Sequence, residues 1–166
     1  MLLKFFLNPE NSAYLRGLSQ EFGESSNAIR IELNRFEDAG LLQSSQEGNK
    51  KFFKANSGHP LFSELRSIVL KHVGVDRIIE NIIDRLGDVK RVYLSGDLAK
   101  GMATGVIDLV IIGDVDRGYL SQLVDKAEKM LDHKIRYLVY SNAEEGMYDV
   151  NPAESLLIWK AEANEQ

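Results

Sequence analysis

From Ser95 to Asp114 the chain reads SGDLAKGMATGVIDLVIIGD. An apolar strand, a glycine turn and a second strand carrying Asp108 give this stretch the outline of a nucleotidyl-transfer site. Metal-assisted phosphoryl chemistry wants a pair of carboxylates, and the strand Val106 to Ile112 carries one. Nearby, Asp114 and Asp116 read as a turn residue and the cap of a following helix.

A second set of residues offers hydrogen bonding instead of bond making. Ser25, Ser26, Asn27, Arg30 and Asn34 fall on the face of a helix opposite the apolar stripe Ile29, Leu33 and Phe36. Arginine suits guanine edges, asparagine suits adenine, and serines at a helix start suit phosphate. Lys50 and Lys51 follow beyond a turn, with Lys54 close by.

Those side chains need elements to hold them. Tyr14, Leu15, Leu18 and Phe22 recur at helical spacing, with Asn11 or Ser12 available as cap, and Gly23 ends that helix. Ser25 then caps a second helix, which stops at Gly40. Two helices joined by a glycine-containing turn are a helix-turn-helix signature. LLQSSQEGNKKFFKAN reads as two short strands around a Gln-Glu-Gly-Asn turn, a hairpin with a basic tip. Leu61, Phe62, Leu65, Ile68, Val69 and His72 predict a connecting helix, broken at Gly74 before a second one over Val75 to Leu86. Strands at Lys90–Leu94, Val106–Ile112, Lys134–Tyr140 and Leu156–Lys160, with a helix at Tyr119–Leu131, complete the pattern.

Length and composition set the bounds. The 166 residues are 44% hydrophobic, enough for one ordinary domain or two small ones. No apolar run approaches the roughly 20 residues of a membrane span, no signal peptide is evident, and cysteine is absent, which suits the cytoplasm. Histidine occurs three times, at scattered positions. Residues 1–58 carry balanced charge, whereas the chain from Gly74 onward holds 11 basic and 17 acidic residues. A nucleic-acid surface therefore belongs to the first half.

The run from Leu15 to Pro60, with its AGLL link into the hairpin, resembles the winged helix-turn-helix of bacterial regulators. In that family the second helix enters the major groove and the wing lies along the backbone, which the resemblance carries onto Ser25 to Asn34 and Lys50 to Lys51. From Val75 to Ser141 the chain resembles minimal nucleotidyltransferases of the DNA polymerase beta superfamily. Their glycine-serine turn meets a triphosphate, two acids on the next strand hold metal ions, and a third acid comes from a later strand. Gly96, Ala99, Lys100 and Gly101 match the turn and Asp108 the second acid. Asp97 replaces serine, Val106 replaces the first acid, and Arg136 or Tyr137 stands at the third. Asp97 also places a negative charge where phosphate would sit.

The expected protein is α+β: a winged helix-turn-helix over 1–58, a connecting helix over 59–74, and a degenerate nucleotidyltransferase-like mixed sheet with packed helices over 75–166. The expected function is DNA-binding transcription regulation by a homodimer, on double-stranded DNA, with no catalytic residue, metal or cofactor. Gly96, Asp97, Lys100, Gly101 and Asp108 would be a remnant serving a nucleotide or protein ligand. One alternative is an active metal-dependent transferase, with Asp97 and Asp108 as an unconventional pair; another is a protein-binding scaffold.

Overall fold

The computed structural model describes residues 1–162. The chain is α+β, with one sheet in each half. The first half runs α1 (Leu2–Phe6), β1 (Ser12–Tyr14), α2 (Leu15–Phe22), α3 (Ser26–Asp38), β2 (Leu42–Glu47) and β3 (Lys50–Ala55). Its antiparallel sheet has the order β1-β3-β2.

Local chemistry explains most of these boundaries. Gly23, in the left-handed conformation, closes α2, and the Ser25 side chain accepts from the Ala28 N–H to open α3. Leu18, Ile29 and Leu33 are buried where α2 crosses α3. Each such burial contributes about 1.5–3 kcal/mol. The start of α2 departs from the expected cap. Asn11 is buried and donates to the Lys4 and Ala99 carbonyls, while Ser12–Tyr14 is a strand paired with β3. Tertiary hydrogen bonds and sheet pairing take these residues, and α2 begins at Leu15 with no side-chain cap.

The second half comprises α4 (Phe62–Val73), α5 (Val75–Ile78), a π-helical turn (Ile79–Ile83), α6 (Asp84–Leu86), β4 (Val89–Ser95), α7 (Gly96–Ala99), β5 (Val106–Gly113), α8 (Arg117–Leu131), β6 (Lys134–Tyr140), a 3-10 turn (Asn142–Met147) and β7 (Ser155–Lys160). Its mixed sheet has the order β6-β5-β4-β7, parallel only between β5 and β6. Alternation sends Leu94, Ile107, Leu109 and Ile111 towards the helices, and Tyr93, Val110 and Ile112 towards the other face. Asp116 caps α8 by accepting from the Tyr119 N–H, and Asp114 instead holds Asn142.

On α4 the apolar stripe is displaced from its expected position. Val69 and Val73 are buried, whereas Leu61, Ile68 and His72 are exposed. Trp159 is only half-buried, on the edge strand β7. Buried residues of both halves join in one continuous cluster, from Leu18 and Leu33 through Val69 and Ile78 to Leu94 and Leu120. The segment 1–11 reinforces that junction, since Lys4 Nζ donates to the Lys100 carbonyl and Asn8 Nδ2 to the Ala99 carbonyl.

Candidate functional site

Two places gather the residues singled out by the sequence, and their electrostatics are opposite. The first is a groove of about 430 Å³ between α3, the start of α2 and the hairpin. It is lined by Arg16, Arg30, Asn34, Asn49, Lys50 and Lys51 over an apolar floor that includes Leu33 and Phe53. Four cations and two amides face this space without a lining carboxylate.

The helix and hairpin hold these groups in different ways. Arg30 and Asn34 lie one turn apart on the exposed side of α3. Lys50 Nζ sits 4.5 Å from the Tyr14 ring centroid, a cation–π contact that anchors the stem and leaves the charge at the groove mouth. Lys51 is more committed: it bonds Glu37 at 2.7 Å and lies over the Phe53 ring. That bond, with a second from Ser44, holds the Glu37 carboxyl below its ordinary range.

Of the expected DNA-contacting set, Arg30, Asn34, Lys50 and Lys51 converge on the groove. Ser25, Ser26 and Asn27 are exposed at the first turn of α3, outside its lining, and the Ser25 oxygen is already used as the cap. Arg16 and Asn49 were missed from the sequence. In the sequence Arg16 is one charged residue on an amphipathic helix, and the β1–β3 pairing is what brings the start of α2 beside the hairpin. Exposed Ile31 adds an apolar group to the outer side of α3.

The second place is the turn Gly96–Gly101 with Asp108. Cross-strand register sets Ser95, Asp108 and Arg136 in one row of β4, β5 and β6. Arg136 grips Asp108 with both ends of its guanidinium, Nε to Oδ1 at 2.6 Å and Nη2 to Oδ2 at 2.9 Å. Hydrogen bonding to Asp108 raises the pKa of Arg136, and the nearby Asp97 charge adds to the effect. The carboxylate is thus spent on a fork-shaped cation.

The turn itself is packed against protein. Gly96 has φ +67°, and a Cβ there would stand 2.5 Å from Asp108 Oδ2. Gly101 has φ +74°, and its missing Cβ leaves room for the Lys4 backbone, 2.6 Å from where that atom would be. Lys100 directs its ammonium to Glu154 at 3.2 Å. Asp97 is exposed at the start of the four-residue α7.

These residues do not fit the metal ions of transfer chemistry. Val106 supplies no oxygen at the first acid position, Arg136 occupies the third, and a hard cation would have to displace a bidentate guanidinium from Asp108. Among the described residues no three His, Asp or Glu side chains are grouped to hold a metal.

No family model matches the sequence, and no curated protein matches it. Among solved structures, the complex of tri-AMPylated Shewanella oneidensis HEPN toxin with MNT antitoxin contains a similar chain. The two are 15% identical with a TM-score of 0.39, and the alignment covers 52% of this chain and 70% of that one. Among the described residues, no helix is long and apolar enough to cross a membrane.

Proposed function

We propose that the protein is a DNA-binding transcription regulator, with α2, α3 and the β2–β3 hairpin forming a winged helix-turn-helix and the second half a transferase-like scaffold without transfer chemistry. The observation that carries this reading is the α3–hairpin groove, in which Arg16, Arg30, Lys50 and Lys51 face one space with no lining acid. Spread over a helix and a hairpin, cations and amides match a phosphate backbone beside readable base edges. Arg30 and Asn34 would read the major groove, Ile31 would meet thymine methyl groups, and Arg16, Lys50 and Lys51 would contact phosphates.

Four cations give a modest, salt-sensitive affinity from one copy, so a homodimer on two half-sites is part of the proposal. The Asp108–Arg136 pair supports treating the second half as non-catalytic: the lone acid is already neutralised.

Gel-shift with a random duplex pool at low salt tests the reading. A retarded complex that weakens on Arg30→Ala is expected. No retardation of any duplex, or equal retardation by the variant, would refute it.

A further inference from the structure

Away from both places, a groove of about 370 Å³ opens between α4 and the α5–π-turn segment, closed on one side by Ile158 of β7. Its walls are apolar, formed by Phe62, Leu70, Val75 and Ile79. Arg66, Lys71, Ser63 and Ser67 lie along the α4 side, and Asp76 at the rim.

Arg66 is the anomaly. Its Nε is buried without a hydrogen-bond partner, and among the described residues no carboxylate lies within ion-pair distance of its guanidinium. Desolvation accordingly lowers its pKa from the ordinary arginine value. Arg66 as a whole is half-buried, but a buried polar atom left unpaired in a native protein calls for an explanation, and a partly desolvated cation favours an anion beside it. Ile79 also begins the π-helical turn, a distortion found frequently at functional sites.

We propose that this groove binds a small organic monoanion, an apolar monocarboxylate whose carboxylate pairs with the Arg66 guanidinium and whose hydrocarbon body lies on Phe62, Leu70, Val75 and Ile79. Charge favours one negative unit: Arg66 and Lys71 against Asp76 leave the lining with a single net positive charge. The planar fork of arginine matches a carboxylate, and Ser63 and Ser67 stand beside it as hydroxyl donors. The volume falls within the usual range for small-ligand sites, with apolar walls and few polar groups. A ligand here bridges α4, whose Phe62 ring packs on Phe6 of α1 at 6.0 Å, to the sheet-bearing half through Ile158.

The proposal is independent of DNA binding, so its test uses the full chain alone. Thermal unfolding would be followed with sodium octanoate, with uncharged octanamide and with inorganic phosphate, and calorimetric titration would give the octanoate Kd. Octanoate at a hundred times its Kd is expected to raise the midpoint by roughly 5–10 °C, with the other two inactive. Arg66→Met should abolish the shift and, with an unpaired cation removed, unfold no earlier than wild type without ligand. Lys71→Ala, at the exposed rim, keeps the test open if that variant misfolds, and should weaken octanoate several-fold. Absence of an octanoate shift, an equal shift in Arg66→Met, or equal stabilisation by octanamide or phosphate would overturn the assignment.

Discussion

The α3–hairpin groove and the Asp108 cleft are built from similar side chains and reach opposite electrostatic ends. In the groove, three of the four cations, Arg16, Arg30 and Lys50, form no ion pair among the described residues, and only Lys51 is tied, to Glu37. In the cleft Arg136 holds Asp108 and Lys100 holds Glu154, and of its charges Asp97, exposed at the start of α7, forms no ion pair among the described residues. Charges left unpaired around a concave surface attract a ligand of opposite sign, whereas charges paired with each other hold the fold. The difference teaches that a site outline in the sequence is a statement about backbone geometry, while function depends on which charges the fold leaves unspent.

The strongest challenge to that contrast is to disturb the cleft and ask whether only stability suffers. Gly101→Ala introduces a Cβ into the Lys4 backbone at a positive φ, and a loss of about 3 kcal/mol is expected by denaturant unfolding. The surviving folded fraction should bind DNA as wild type. Removing the unspent charges is the converse. The double variant Arg16→Ala, Arg30→Ala should lose about a hundredfold in duplex affinity by fluorescence anisotropy, with its unfolding midpoint little changed.

Smaller effects sharpen the comparison. Lys50→Ala should cost roughly threefold to tenfold in affinity across all sequences, as expected of a phosphate contact. Glu37 gives the pH response. Its folded pKa lies below the unfolded value, so its contribution to stability is present above the ordinary carboxylate range and is lost as pH falls through the folded value. Acid should loosen the tether between α3 and the hairpin, and Glu37→Gln should remove that part of the acid sensitivity while freeing Lys51. Unfolding followed from neutral to acidic pH in both proteins checks it.

Much of the fold was legible in the sequence because local signals and tertiary demands agreed. Ser25, Gly23 and Asp116 act where their chemistry predicts, and β6 spans Lys134–Tyr140 as the alternation implies. The failures are tertiary overrides. Asn11 looks like a cap but satisfies backbone carbonyls of Lys4 and Ala99 across the fold, and no local pattern encodes that. On α4, Ile68 is exposed because Val69 and Val73 face the core instead. The sites show the same division. Arg30, Asn34, Lys50 and Lys51 were readable because they sit on one helix face and one hairpin. Arg16 needed the β1–β3 pairing, and the Asp108–Arg136 bond needed the parallel register of β5 on β6, 28 residues apart in sequence.

The salt dependence of duplex binding tests the central claim most directly, with wild type, Arg16→Ala, Arg30→Ala, Lys50→Ala and Asp108→Ala compared in one series. If the three phosphate-facing cations Arg16, Lys50 and Lys51 displace counterions, log K against log salt should have a slope of roughly −2.7 per bound copy, shallower by about 0.9 in Arg16→Ala and Lys50→Ala and little changed in Arg30→Ala, which loses affinity through base contacts. Asp108→Ala should keep the wild-type slope. A slope indifferent to Arg16→Ala and Lys50→Ala, or one changed by Asp108→Ala alone, would contradict it.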